Sequence, residues 1–181
     1  MQQEIIIAGF GEQGVLFVGQ VIAYAALAEG RHVTWIPSYG PEMRGGTANC
    51  TVVVSDDEIG SPLVKRPSAA IVLNQPSMDR YAPLVAPGGV LVVDASLIET
   101  RSGRADIHEF DVMAKDIAAE LGQPRTANVV ALGALVAATG VVQLASVEAV
   151  LAKKFAANPE VLRANRRALH LGAEFTTKVA M

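Results

Sequence analysis

Cysteine is almost missing from this 181-residue chain, with Cys50 the only one. No disulfide can close within the chain, which fits a reducing cytoplasm. One thiolate also cannot hold an iron–sulfur cluster, which generally takes four. Histidine is scarce as well: His32, His108 and His170 stand far apart and show no metal-ligand spacing. No apolar run is long enough to cross a bilayer. The longest weakly interrupted one, Val129 to Val142, falls short of the ~20 residues a spanning helix needs. The first residues, Met1-Gln2-Gln3-Glu4, lack the basic stretch that opens a signal peptide. Charge of one sign does not accumulate either. A net charge of −3 and a pI near 5.6 argue against a nucleic-acid partner. Six of the 15 basic residues follow Val150, against Glu160 and Glu174, which reads as a solvated helix face or a subunit contact.

Aromatic residues make up only 5%, yet hydrophobic residues reach 51% and mean hydropathy is +0.33. Ala, Val, Ile and Leu carry that excess. Such a composition builds a deeply buried sheet or leaves apolar surface for a partner.

The order of segments gives the fold class. Glu4 to Ala8 reads as a short β-branched strand, and Gly9-Phe10-Gly11-Glu12-Gln13-Gly14 follows it. Val15 to Glu29 is apolar on nearly every face, as in a buried helix, and Gly30 closes it. Arg31 to Ile36 is a second strand, ending at Pro37. Thr47 to Ser55 is a third, with Ala48, Cys50, Val52 and Val54 on one face, so that Cys50 reads as a half-buried strand residue. Ala69 to Leu73, Val90 to Asp94 and Ile107 to Phe110 are further strands. Helices are expected from Asn74-Gln75-Pro76-Ser77 to about Val85, at Val112 to Leu121, at Asn128 to Thr139, at Val147 to Phe155, and from Pro159 onward with Asn158 as N-cap. Alternating strands and helices imply an α/β three-layer sandwich with a mixed, mostly parallel sheet, Rossmann-like, with residues 1–181 as one domain. The loop before Thr47 is too short for a parallel crossover, so the second and third strands should pair antiparallel.

Gly9, Gly11 and Gly14 match G-x-G-x-x-G between a strand and a helix, where glycines allow a tight turn and the helix N-terminus offers free N–H groups. A dinucleotide site also needs an acid at the end of the second strand. Here that strand ends Trp35-Ile36-Pro37-Ser38 and the next acid is Glu42, while Glu12 sits where a pyrophosphate would approach. The turn therefore reads as a dinucleotide site, a structural βα turn, or a seat for another ligand or partner chain. The loop Ser38 to Gly46 packs Tyr39, Glu42 and Arg44 among Gly40, Pro41, Gly45 and Gly46. If the first two strands are parallel neighbours, it borders the glycine turn at their carboxyl ends, where open α/β sheets bind ligands. A Glu42–Arg44 ion pair pinning a surface loop is the simpler reading.

Gly9 to Val15 resembles the G-x-G-G-Q-G signature that opens gamma subunits of 2-oxoacid:ferredoxin oxidoreductases. Ser38 to Cys50 resembles the second signature of that family in its 2-oxoglutarate form. Asn74-Gln75-Pro76-Ser77 and Asn128-Val129-Val130-Ala131-Leu132-Gly133 are similar to two further blocks, in order, so that the resemblance covers nearly the whole chain, which is domain III-like. One departure is Glu12, where the family usually has glycine. The resemblance implies a cytoplasmic subunit working with alpha and beta subunits, with or without delta, in a complex that oxidatively decarboxylates a 2-oxoacid and reduces ferredoxin. That complex uses thiamine diphosphate, Mg, Fe-S clusters and coenzyme A. This chain has neither a Gly-Asp-Gly with a distant Asn-Asn nor four cysteines, so none of these is expected on it alone, and no catalytic or metal-binding residue is assigned. The candidates for cofactor binding or subunit contact are Gly9, Gly11, Gln13, Gly14, Tyr39, Glu42, Arg44, Gly45, Gly46, Asn74 and Asn128. The competing readings are a stand-alone NAD(P)-binding oxidoreductase and a purely structural scaffold subunit.

Overall fold

The computed structural model describes residues 1–39 and 47–179. Six strands form one sheet: β1 (Gln2–Phe10), β2 (His32–Tyr39), β3 (Thr47–Ser55), β4 (Ala69–Val72), β5 (Val90–Asp94) and β6 (His108–Val112), in the order β2-β3-β1-β4-β5-β6. β1 pairs antiparallel with β3, and β3 antiparallel with β2. The pairs β1–β4, β4–β5 and β5–β6 are parallel. The expected mixed, mostly parallel α/β sheet is therefore present, as is the antiparallel β2–β3 pair.

Alternation along the strands sorts the core into two layers. Ile5, Ile7, Cys50, Val52, Ile71 and Val92 face α1 (Val15–Ala28), α3 (Ala114–Glu120), α4 (Ala127–Thr139), α5 (Leu144–Lys154) and α6 (Pro159–Val179). Ile6, Ala8, Ala70, Val72, Leu91 and Val93 face the opposite side. There Met78 and Tyr81 of the short α2 (Gln75–Tyr81) and Ala82 and Val85 just beyond it complete a smaller layer. Asn158 caps α6 as expected, its Oδ1 accepting from the Val161 N–H at 3.2 Å.

Three expectations need correction. The first two strands are not neighbours, because β3 inserts between them and returns antiparallel to both. β2 does not stop at Pro37 but continues to Tyr39. As the outermost strand it has a ladder on one side only, which leaves room for a residue without an N–H. Cys50 is not half-buried but fully enclosed, because α1 lies directly over it: a Cβ on Gly19 of α1 would meet Cys50 Sγ and come within 2.9 Å of Trp35 Nε1.

Candidate functional site: the carboxyl edge of β1 and β4

β1 and β4 are adjacent parallel strands whose connections leave in opposite directions. β1 leads into α1 on the large layer, and β4 leads into α2 on the small one. Such a divergence opens the crevice in which open α/β sheets hold ligands. The topological switch point thus lies between β1 and β4, not between β1 and β2.

The glycine turn stands at this edge. After Phe10 the chain makes a 3₁₀ turn, Gly11–Gln13, and enters α1 through Gly14 at φ 72°. That left-handed angle favours glycine. Gln13 reaches both ways: its Oε1 accepts from the Phe10 N–H at 2.6 Å, and its Nε2 donates to the Leu73 carbonyl at 2.7 Å. One amide side chain therefore ties the turn to the end of β4. Asn128, in the first turn of α4, donates from Nδ2 to the Gly14 carbonyl at 3.3 Å. A Cβ on Gly14 would stand 2.5 Å from that nitrogen, and a Cβ on Gly9 would stand 2.7 Å from Gln13 Oε1. The glycines here make room for two amides.

Asn74 follows Leu73 directly and is the N-cap of α2, its Oδ1 accepting from the Ser77 N–H at 2.9 Å. Asn74 Nδ2, Ser77 Oγ and Asn128 Oδ1 are buried without a partner among the described residues. Burial without a partner is costly for a polar atom, so such groups ordinarily meet water or a ligand. Asp94, at the end of β5, is a group that the sequence reading missed. It is 2% exposed, and its carboxylate accepts from the Ser96 and Lys115 N–H groups at 3.2 and 3.4 Å. Burial pushes its pKa above the ordinary carboxylate range, against the lowering effect of those donors. An acid closing an all-apolar strand was the available signal.

The structure thus brings Gly9, Gly11, Gln13, Gly14 and Asn128 together and sets Asn74 one residue from the Gln13 anchor. Tyr39 belongs to the same end of the sheet, because Tyr39 and Gly9 both pair with Ala48. Glu42, Arg44, Gly45 and Gly46 lie outside the described residues. Among the described residues the groups gathered at the turn are amides and glycines, with no nucleophile beside a base, and such groups are suited to positioning a molecule by hydrogen bonds.

Residues 4–175 match the family model for pyruvate ferredoxin/flavodoxin oxidoreductase. The chain belongs to that family. Within it, the chain is 43% identical over 171 residues to ketoisovalerate oxidoreductase subunit VorA of Methanothermobacter thermautotrophicus, an alignment covering 93% of this chain and 35% of the relative. It is 37% identical over 172 residues to 2-oxoglutarate synthase subunit KorC of Archaeoglobus fulgidus, covering 95% and 89%. Among solved structures, the gamma subunit of the keto/oxoacid ferredoxin oxidoreductase of Geobacter sulfurreducens superimposes with a TM-score of 0.83 at 31% identity, over 97% of this chain and 99% of that one. The chain spans about a third of the length of the VorA proteins. Both 2-oxoglutarate and ketoisovalerate branches are thus among its relatives, and family membership alone does not choose between them.

Proposed function

We propose that this chain is the gamma component of a multi-chain 2-oxoacid:ferredoxin oxidoreductase. The observation that carries the reading is the end-to-end correspondence with the Geobacter gamma subunit, 97% of one chain on 99% of the other. In such an enzyme, thiamine diphosphate with Mg supplies the carbanion, iron–sulfur clusters take the electrons to ferredoxin, and coenzyme A takes the acyl group. The residues here do not fit the first two groups. One cysteine cannot ligate a cluster, and among the described residues no three His, Cys, Asp or Glu side chains gather around a metal position. Those groups belong to partner chains of the alpha and beta type.

Coenzyme A is the group this chain's residues can meet. Asn74 Nδ2 and Ser77 Oγ have no hydrogen-bond partner among the described residues at the carboxyl edge, and the sequence joining β2 to β3 carries the Arg44 guanidinium. Gly9, Gly11, Gln13, Gly14 and Asn128 then serve to hold that edge in shape. The resemblance of Ser38 to Cys50 to the 2-oxoglutarate signature makes 2-oxoglutarate the first choice of substrate. The higher identity to VorA makes ketoisovalerate the second.

The test is to tag the chain, purify it from its native host, identify the co-purifying chains and assay viologen reduction with each 2-oxoacid and coenzyme A. Reduction with 2-oxoglutarate at a kcat/KM at least roughly tenfold above that for ketoisovalerate is expected. The same complex carrying Arg44→Ala should show a KM for coenzyme A raised by about tenfold or more, as for loss of a desolvated charge contact. Purification of the chain with no thiamine diphosphate-binding partner would overturn the proposal.

A further inference from the structure

α1 contains no charged residue: Val15 to Ala28 reads VLFVGQVIAYAALA, with the Gln20 amide and the Tyr24 hydroxyl its only polar side-chain groups. A helix apolar all round is ordinarily enclosed all round, and this one is not. Val15, Val18, Val21, Ile22, Ala25 and Ala26 are buried against the sheet and neighbouring helices. Tyr24 is 59% exposed and Leu27 54% exposed. At 100° per residue, Leu16, Gln20, Tyr24 and Leu27 line up on one side at the spacing by which one helix meets another, with Leu16 and Gln20 partly covered and Tyr24 and Leu27 open. On one flank α5 covers part of the helix: Phe155 packs on Phe17, and Lys154 reaches over the Phe17 ring to Gln20 Oε1 at 3.2 Å. Lys153 and Lys154 give that flank a positive rim, and the stripe beyond them stays open.

We infer that this outer face of α1 is a docking surface for another chain of the complex, one that presents an apolar ridge with an acidic residue opposite Lys153 and Lys154. The inference rests on the reading of the chain as one component of a multi-chain oxidoreductase. That reading, in which nearly two thirds of the length of the VorA relatives lies outside the matched region, favours a different chain over a second copy. The stripe begins at Leu16, two residues past Gly14, so a chain seated on it extends to the carboxyl edge where Gln13 and Asn128 lock the glycine turn. Docking and the candidate site are then parts of one contact.

The experiment uses the tagged full chain in its native host. The wild type is compared with Tyr24→Asp/Leu27→Asp, and with Tyr24 replaced by a photo-crosslinking p-benzoylphenylalanine. Thermal melting and size-exclusion chromatography of each purified chain serve as folding controls. The expected result is that the wild type captures a chain whose sequence carries the thiamine diphosphate pattern. The double variant should keep its melting profile but capture that chain at least roughly tenfold less, and the photo-label should crosslink to it. If the wild type captures no such chain, the functional reading fails. If wild type and variant capture it equally, or the label joins only other chains, the surface assignment is overturned while the function stands. A free wild-type chain that runs as a dimer, and becomes a monomer on Tyr24→Asp/Leu27→Asp, would assign the face to a second copy and also overturn the proposal.

Discussion

Gly14 carries two constraints at once, a left-handed φ of 72° and the Asn128 amide 2.5 Å from where a Cβ would stand. Gly14→Ala is expected to lower the stability of the isolated chain by about 1–3 kcal/mol in urea unfolding, part backbone and part displacement of Asn128. Asn128→Ala removes the second part, so the double variant should lose less than the sum of the two single ones. Cys50 makes a different kind of prediction. Its thiol is fully buried, and desolvation pushes its pKa from 9.0 up to about 12. The folded state therefore holds its proton where the unfolded chain releases it. Stability from this group is intact below pH 9.0 and falls by about 1.4 kcal/mol per pH unit as pH rises from there toward 12. Denaturant melts at pH 8 and pH 10.5 should show that loss in the wild type and not in Cys50→Ala, which is itself destabilised at both values. A thiol reagent should label the native chain only on unfolding. The sequence pointed to both residues but not to their surroundings. Gly14 stood in a recognisable motif, whereas its neighbour Asn128 lies more than a hundred positions away, and the enclosure of Cys50 depends on the absence of a side chain at Gly19.

Helices α4 and α6 are joined by their backbones. A Cβ on Gly133 would run into the Leu169 carbonyl of α6, and a Cβ on Gly172 into the Val130 carbonyl of α4, while Thr176 Oγ1 donates to the Ala134 carbonyl at 3.2 Å. Backbone cannot rotate away as a side chain can, so the helices must part along their length. Gly133→Ala and Gly172→Ala are each expected to cost more than about 3 kcal/mol, at the high end for overpacking, read as a fall in the thermal midpoint. Equal stability of either variant with the wild type would mean that the crossing is looser than described. Elements of this kind were legible one by one. Apolar β-branched runs gave the strands, and Asn158-Pro159 gave the start of α6. Their pairing was legible only where the chain between them was short, as for β2 and β3. No residue in β1 announces that β3 will insert beside it, because both flanking strands offer it the same apolar face. Gln13 was visible as part of a motif, but its bond to Leu73 joins segments sixty residues apart. The all-apolar character of α1 was read correctly as a demand for burial, which this chain meets on one side only.

For the molecule as a whole, strand order decides against the dinucleotide reading of the glycine turn. In a nucleotide-binding βαβ unit the second strand lies beside the first and delivers an acid to the ribose. Here β3 occupies that place, and β2 carries no acid between His32 and Tyr39. A calorimetric titration of the isolated chain with NAD or NADP is expected to show no binding tighter than roughly 1 mM. A dissociation constant in the micromolar range would reverse that reading. The inserted position of β3 also orders events during synthesis. β1 is made first, yet its antiparallel neighbour ends at Ser55 and its parallel neighbour at Val72. β2 and β3 can zip into a hairpin as soon as Ser55 has emerged, because their contacts are local. Ile5-Ile6-Ile7-Ala8 must wait as an unpaired, aggregation-prone strand until that hairpin offers its free edge. The nascent chain is most vulnerable in that interval, and slowing translation before β3 would lengthen it.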